Sequence, residues 1–191
     1  GITNPLVEEE KTPQSEKKWK NRYVPSPSFL SLHLGVNKDA IPTETHCHHL
    51  ILDAWEEMEQ EQGVTFLSIP TLLDPTLAPS GSHIVHAFTP SSMHCWEGLS
   101  NEEYLAKKKE DGEKLISKLE KLIPNLSQNI LHKEIGSPRT HKRFLSRNKG
   151  SYGPIPSMRL PGLLPMPFNT TKIKGLYCVG DSCFPGQGLN A

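Results

Sequence analysis

Alternating apolar and polar positions mark one strand of the chain clearly. In the stretch SFLSLHLGV, residues 28–36, apolar side chains recur at every second position, and polar or small residues mostly fill the positions between them. A period of two places the apolar set on one face of a β-strand and the other set on the opposite face. The pattern therefore predicts a half-buried strand whose inner face carries Leu30, Leu32, Leu34 and Val36.

Three further apolar runs, CHHLILDAW, VTFLSIP and SHIVHAFT, follow before residue 90. An acidic stretch and the turn-rich loop TLLDPTLAPSG separate them, and neither has a helical pattern. Strands that are joined without a helix between them usually pair in antiparallel fashion. The chain therefore predicts a mixed or antiparallel sheet, built from segments 29–36, 47–53, 64–69 and 82–89.

Two helices follow the predicted sheet strands. Ser100 and Glu103 have the spacing of a capping box, and leucines then recur at helical spacing. Pro124 disfavours a helical residue before it, so the first helix is predicted to end near Ile123. A strand and a shorter basic helix, starting around Pro138, come next. The predicted fold class is α/β with α+β character, a mixed or antiparallel sheet with flanking helices.

Composition narrows the functional classes. The chain has 191 residues, 35% of them hydrophobic, which is enough for a globular domain with a buried core. Its 21 basic and 21 acidic residues cancel, so no nucleic-acid partner is predicted from charge. No apolar run of membrane-spanning length occurs. The four cysteines are scattered along the sequence, which fits a reducing compartment. The acidic N-terminal stretch is untypical of a signal or transit peptide and resembles an internal segment.

The cluster His46, Cys47, His48 and His49 contains metal-ligating residue types. Neighbouring positions of a strand point to opposite faces, so these side chains cannot easily converge on one ion. No metal site is predicted there, and the histidines are interpreted as polar residues at a strand edge.

The segment KGLYCVGDSCFPGQGLNA combines a short apolar strand with a glycine-rich turn. A ligand could approach the backbone closely at Gly180, and Asp181 could accept hydrogen bonds from its hydroxyls. Gly186 and Gly188 would remove side-chain bulk where a cofactor must pass. The pattern fits a nucleotide cofactor site, and it also fits an ordinary strand-to-helix turn.

A resemblance adds to this motif. The segment GLLPMPFNTTKIKGLYCVGDSCFPGQG resembles the C-terminal flavin-binding segment of the carotenoid isomerase (prolycopene isomerase) family, within the phytoene desaturase-like flavoproteins. The likeness continues upstream through SPRTHKRFLSRNKGSYGP, WEGLSNEEYLAKKKE, FLSIPTLLDPTLAPSG and PSFLSLHLGV, and so covers roughly residues 25–190. It implies FAD as cofactor, with Gly180 and Asp181 beside the ribityl and pyrophosphate. Gly186, Gln187, Gly188 and Leu189 would then start a helix facing the pyrimidine side of the flavin.

The resemblance also implies a domain organisation. Residues 1–27 would be a polar peripheral segment, 28–148 part of a substrate-binding domain and 149–174 a connector, and 175–191 would hold the last strand of an incomplete Rossmann-like FAD domain. The dinucleotide fingerprint G-x-G-x-x-G of the family does not occur in these residues. The chain is therefore expected to be the C-terminal portion of a longer enzyme, with the N-terminal FAD-binding half missing. Alone, it is expected to have no catalysis and feeble flavin binding.

The implied reaction is the conversion of poly-cis-lycopene to all-trans-lycopene with reduced FAD and no net redox change. The implied location is a plastid, at the membrane periphery, or the cyanobacterial equivalent. The sequence assigns no catalytic residue. Leu32, Leu34 and Phe66 are candidates to line a lipophilic tunnel for the carotenoid, although they could equally pack on helices.

The basic residues Arg139, Lys142 and Arg143, with the apolar residues 155–168, form a candidate peripheral membrane contact. Two alternatives to the isomerase stay open: a related FAD-dependent carotene desaturase or retinol saturase, and an inactive partial copy.

Overall fold

The structure is a computed structural model that describes residues 13–14, 23–156 and 168–184. Its strands are β1 Tyr23–Pro25, β2 Ser28–Asn37, β3 His48–Leu52, β4 Val64–Ser68, β5 Ser82–Ser91, β6 Ile130–Gly136 and β7 Pro154–Pro156. Its longer helices are α1 Asn101–Leu119 and α2 Pro138–Leu145. Short 3-10 turns lie in the connections, at Lys38–Ala40, Trp55–Glu57, Pro70–Leu72, Pro75–Leu77, Met93–Cys95, Leu126–Asn129 and Asn148–Gly150.

Five strands form one antiparallel sheet in the order β3-β4-β5-β2-β6. Strand β2 pairs with β5 from Ser28 opposite Ser91 to Asn37 opposite Ser82, and with β6 on its other side. The sequence prediction of a mixed or antiparallel sheet with flanking helices is confirmed.

Helices and loops cover one face of this sheet. Leu30, Leu32, Leu34 and Val36 of β2 lie on that face, and each is at most 2% exposed. The same buried cluster contains apolar residues from α1 and the turns after it, namely Leu115, Ile116, Leu119, Ile123 and Leu126. Full burial of such a side chain stabilises the fold by roughly 1.5–3 kcal/mol. The predicted inner face of the strand is therefore the core of the protein.

Helix α1 begins as predicted and ends earlier than predicted. The Ser100 hydroxyl accepts a bond from the Glu103 backbone N–H, and the Glu103 carboxylate accepts one from the Ser100 backbone N–H. The regular helix stops at Leu119, four residues before Ile123. The chain continues in turns, where Leu122 and Ile123 both donate to the Leu119 carbonyl. Pro124 disfavours helical geometry at the residue before it, which is consistent with this early unwinding.

Helix α2 starts at Pro138, as the sequence predicts, and the Ser137 hydroxyl caps it by accepting from the Thr140 N–H at 3.3 Å. Neither α1 nor α2, within the described part of the chain, combines the length and hydropathy needed to cross a bilayer.

One short ribbon is absent from the sequence prediction. Strand β1 pairs antiparallel with β7, from Tyr23 opposite Pro156 to Pro25 opposite Pro154. Ser26 donates from its backbone N–H to the Gly153 carbonyl at 2.9 Å, next to this ribbon. The predicted peripheral segment and the predicted connector are thus brought together by pairing between residues distant in sequence, which no local pattern reveals.

The apolar strand predicted within residues 174–181 is wrong. The structure contains only an isolated bridge there, between Thr170 and Tyr177. Tyr177 is 68% exposed and Val179 is 89% exposed. A strand requires a partner for its backbone groups, and the described residues offer this segment only that bridge. The apolar residues of this segment are therefore not buried as the strand prediction requires.

Candidate functional site

The sheet face opposite α1 carries an exposed apolar row. Register places Leu50 of β3 beside Phe66 of β4, and Phe66 beside Phe88 of β5. The two phenylalanine rings are stacked, with centroids 4.8 Å apart and planes 9° apart. Leu50 is 55% exposed, Phe66 38% and Phe88 37%. A flat apolar strip on an otherwise polar sheet face is a surface that an extended apolar ligand can cover.

Aromatic contacts continue this row towards the C-terminal segment. Phe29 packs edge-to-face on Phe88 at 5.0 Å and on Tyr152 at 4.6 Å. The Arg147 guanidinium lies over the Tyr152 ring, 4.9 Å from its centroid. Arg147 also donates to the Asp181 carboxylate, with 2.5 Å between Nη2 and Oδ2. An unbroken series of contacts therefore links the apolar row to the predicted cofactor turn.

The turn at Gly180 has an open backbone. Gly180 adopts a φ of +117°, which favours glycine, and a Cβ built on it would meet no atom within 4 Å. The Cys183 N–H donates to the Gly180 carbonyl at 3.1 Å, which closes the turn. Arg147 binds one carboxylate oxygen of Asp181, namely Oδ2. The other oxygen, Oδ1, accepts a hydrogen bond from the Ser182 hydroxyl at 3.3 Å. Accessible backbone and a carboxylate acceptor fit the ribityl and phosphate part of a nucleotide cofactor.

The remaining predicted cofactor residues, Gly186, Gln187, Gly188 and Leu189, lie outside the described residues.

The predicted substrate-lining residues divide between the two sheet faces. Leu32 and Leu34 are 0% and 2% exposed and belong to the helix-covered core, so the structure contradicts their assignment to a tunnel wall. Phe66 lies on the open face, where the apolar row forms. The error has a physical reason: the most regular apolar face of a strand is the one that packs in the core, while a binding face alternates with it.

Residues missed by the sequence reasoning lie on that alternate face. They are Phe29, His33, His86, Phe88, Tyr152 and Arg147. The sequence does indicate two of them, because His33 and His86 occupy polar positions between the apolar residues of their strands. The aromatic pairs could not be found without the strand register.

Helix α2 presents a mixed basic and apolar surface. Lys142 and Arg143 are exposed, Phe144 is 71% exposed, and the Arg143 guanidinium lies 5.1 Å from the Phe144 ring centroid. Arg139 differs from its two basic neighbours, because it is half-buried over the Tyr104 ring at 4.3 Å. The free basic charges of this surface are therefore Lys142 and Arg143.

The histidine-rich segment makes local contacts. His49 Nε2 lies 2.8 Å from the His46 carbonyl oxygen, and Cys47 Sγ lies 3.6 Å from His48 Nε2. Among the described residues, no group of three metal-ligating side chains has a geometry suited to an ion.

Comparison with known proteins places this geometry in context. No family model matches the chain. The chloroplastic prolycopene isomerase of Arabidopsis thaliana is 55% identical over 188 residues, which cover 97% of this chain and 32% of that protein. The chain is related to the C-terminal part of the prolycopene isomerases. The resemblance found in the sequence is thereby confirmed, and the chain spans about a third of the length of the curated relatives it matches.

More distant similarities lie outside the prolycopene isomerases. The 4,4'-diapolycopene oxygenase of a Methylomonas species is 29% identical, over 94% of this chain and 37% of that protein. The crystal structure of an oxidoreductase from Methanosarcina mazei superposes with a TM-score of 0.53 and 17% identity, over 94% of this chain and 34% of its own. This structural likeness supports the fold class and shows the fold alone.

Proposed function

We propose that the chain is the C-terminal portion of a reduced-FAD-dependent carotenoid cis-trans isomerase, which converts poly-cis-lycopene to all-trans-lycopene. The observation that carries the proposal is the exposed row of Leu50, Phe66 and Phe88, linked through Tyr152 and Arg147 to the open turn at Gly180. The identity to chloroplastic prolycopene isomerases supports it, and their names support a plastid location.

The domain organisation is part of this proposal. Residues 28–148 form the portion of a substrate-binding domain, with 1–27 peripheral to it and 149–174 as connector. Residues 175–191 belong to a FAD-binding domain whose other half precedes the chain. Pairing of β1 with β7 supports a close association of the peripheral segment with the connector.

Cofactor binding would use the described turn as follows. The Gly180 backbone would lie against the ribityl and pyrophosphate, and Asp181, which Arg147 orients, would accept hydrogen bonds from ribityl hydroxyls. Gly186, Gln187, Gly188 and Leu189, which lie outside the described residues, are proposed to complete the site at the pyrimidine side of the ring. When bound, the reduced flavin would supply an electron-rich ring beside the polyene, which stabilises positive charge that develops on the polyene during isomerisation.

The chain's own residues hold the substrate. A conjugated polyene is long, flat and apolar, and the stacked Phe66 and Phe88 offer it a flat apolar surface with no competing hydrogen-bond groups. Phe29 and Tyr152 extend this surface towards Arg147 and the cofactor turn. The open sheet face would thus place the polyene beside the flavin and exclude water from it.

A carotenoid must be taken from a lipid phase, and helix α2 fits a peripheral membrane contact. Lys142 and Arg143 would attract anionic lipid headgroups, while Phe144 inserts among the acyl chains. The carotenoid, FAD and a plastid membrane are therefore the proposed partners.

One alternative activity has a specific observation in its favour. The Methylomonas relative is named as an oxygenase of a carotenoid, so a net-redox reaction such as that of a carotene desaturase or a retinol saturase is the second candidate. An inactive partial copy is the third. Product analysis under anaerobic conditions with reduced FAD separates the first two, because only the isomerase leaves the number of double bonds unchanged.

The test joins this chain to the N-terminal two thirds of the Arabidopsis relative, in place of that protein's own C-terminal part. The proposal predicts that the chimaera binds FAD and isomerises poly-cis-lycopene. A Phe66→Ala variant should raise KM with little loss of FAD binding. The control is Lys114→Ala, whose exposed lysine pairs with Glu110 on α1, on the other side of the sheet from this row. A folded chimaera that binds FAD without isomerising any carotenoid would contradict the proposal.

A further inference from the structure

Two histidines meet on the open sheet face, one register step from the apolar row. His33 of β2 is directly opposite His86 of β5, and the ring centroids are 4.9 Å apart with the planes at 73°. Both side chains are exposed. His86 and Phe88 are two residues apart on the same strand, so their side chains share one face at a spacing of roughly 7 Å. A polyene on the apolar row therefore lies within reach of these imidazoles.

A third histidine, His141, lies at the edge of the same sheet face, near Ser31 and Gly136. A Cβ built on Gly136 would lie 3.7 Å from His141 Nε2 and 2.4 Å from the Ser31 hydroxyl, which places the His141 ring over this corner of the sheet. His141 Nε2 is buried and has no hydrogen-bond partner within the described structure. Buried polar atoms without a partner are rare in folded proteins and mark places where a missing ligand or partner belongs.

Electrostatics couples the three rings through His33. Desolvation by the sheet, followed by repulsion from His33, lowers the pKa of His86. Desolvation also lowers the pKa of His141, with repulsion from His33 and Arg147 adding to it. A positive charge on His33 therefore opposes protonation of His86 and of His141.

The other polar groups of this register row are identified by strand pairing. Glu134 of β6 stands opposite His33, Ser68 of β4 stands opposite His86, and His48 of β3 stands opposite Ser68. The row thus runs polar across all five strands, immediately beside the apolar one. Glu134 is the acidic member of the row, and its carboxylate lies 3.4 Å from Nε2 of His132 on the same strand.

We propose that His33 and His86 form the acid–base pair of the polyene site: one imidazolium donates a proton to a carbon of the cis double bond, and the other imidazole removes that carbon's original hydrogen after rotation. This proposal rests on the proposed isomerase function and adds the proton donor that the sequence did not assign.

The step conserves atoms and electrons. The π pair of the cis double bond forms a new C–H bond with the imidazolium proton, which leaves a neutral imidazole and a cation delocalised along the polyene. The former double bond is then single and rotates to the trans geometry. The second imidazole, which is neutral, removes the hydrogen that this carbon carried originally and becomes imidazolium, and the C–H pair restores the double bond. No external oxidant or reductant is consumed.

The first measurement uses the 191-residue chain itself, without any cofactor. NMR titration of the His86 imidazole in the wild type and in His33→Gln tests the coupling. The pKa of His86 should rise in the variant, because the neighbouring positive charge is removed. His94→Gln, which changes an exposed histidine in the turn Met93–Cys95 after β5, is the control and should leave the His86 pKa where it is. An unchanged His86 pKa in His33→Gln would overturn the pair.

The second measurement uses the active chimaera described above. Loss of a positioned acid or base typically costs 100-fold to 10,000-fold in rate, so His33→Gln and His86→Gln should each lower kcat by about 100-fold or more while KM stays within a few-fold. His94→Gln should keep the wild-type rate. The wild type in D₂O should place deuterium on the isomerised product, because the imidazolium proton exchanges with solvent between turnovers.

The outcomes separate the two proposals. A wild-type chimaera that isomerises nothing contradicts the isomerase function, and with it this role for the histidines. An active wild type whose His33→Gln and His86→Gln variants keep its rate, or whose product carries no deuterium, overturns the acid–base pair and leaves the isomerase function standing. Circular dichroism of each variant confirms that the exposed substitutions leave the fold intact.

Discussion

The two faces of the five-stranded sheet come from the same strands and obey opposite rules. On the covered face, Leu32 of β2 and Val85 of β5 have no exposed surface and pack with α1. On the open face, Phe66 and Phe88 stay more than a third exposed although they are stacked on each other. Apolar side chains on the covered face stabilise the fold, whereas those on the open face leave apolar surface available to a ligand.

The difference teaches where stability and function are separable in this molecule. A change on the covered face should alter the free energy of unfolding strongly, and one on the open face should alter binding with little effect on folding. Substitutions on the two faces of neighbouring strands test this separation directly.

The largest effect is expected for Leu32→Ala. Leu32 is completely buried in the core, and large-to-small changes of this kind cost about 2–5 kcal/mol in unfolding free energy through lost burial and the cavity left behind. Urea denaturation followed by circular dichroism measures the loss. A cost below about 1 kcal/mol would show that the covered face is not the core of the protein.

The next effect concerns a buried hydrogen bond on the covered face. Trp96 is fully buried, and its indole N–H donates to the Ser91 hydroxyl at 2.9 Å. Ser91→Ala leaves that donor without its partner, which should cost about 1–3 kcal/mol. The control is Ser92→Ala, because the described hydrogen bonds of Ser92 use its backbone N–H and not its hydroxyl. Denaturant melts compare the unfolding free energies of the two variants. Equal stabilities of the two variants would contradict this reading of the indole contact.

A smaller effect on stability is expected for Phe88→Ala on the open face. The substitution removes the stacking of Phe88 on Phe66 and its edge-to-face contact with Phe29. Each aromatic pair contributes about 0.5–1.5 kcal/mol beyond its buried area. The free energy of unfolding should therefore fall by less than in Leu32→Ala. Carotenoid affinity in the FAD-bound chimaera should fall in contrast, as measured by quenching of tryptophan fluorescence. A stability loss matching that of Leu32→Ala would remove the distinction between the faces.

The covered face was predictable from the sequence and the open face was not. Leu30 to Val36 alternate so regularly that a buried strand face, its antiparallel neighbours and the capping box at Ser100 follow from local patterns. Stacking of Phe66 on Phe88, and the meeting of His33 with His86, depend on strand register between segments that are distant in sequence.

The C-terminal turn shows a second limit of the sequence. Gly180 and Asp181 are predicted as cofactor residues from the glycine-rich turn and from the family resemblance, and the structure adds the Arg147 contact that orients Asp181. The apolar residues around Tyr177 predict a strand, but the structure has only an isolated bridge there. Strand formation depends on pairing with a neighbouring strand and not only on residue propensity.

The smallest effect is a pH dependence that belongs to the open face. Burial lowers the pKa of His141, and of His86, below the ordinary histidine value near 6.5 that the unfolded chain keeps. Between the lowered native pKa and about 6.5 the unfolded state binds more protons, so stability rises with pH in that window and falls on acidification. The carboxylates with lowered pKa, such as Asp53 and Glu120, add their own losses only at more acidic pH.

Unfolding free energies measured between pH 5 and pH 7.5 check this dependence. The wild type should be less stable at pH 5 than at pH 7.5, and His141→Gln should flatten the slope because it removes one group that binds a proton more tightly when unfolded. Leu32→Ala should shift the whole curve down without changing its slope, since it removes no titrating group. An unchanged slope in His141→Gln would mean that its ring is as well hydrated in the folded protein as in the unfolded chain, and the corner of the open face formed by Gly136 and Ser31 would then be open to water.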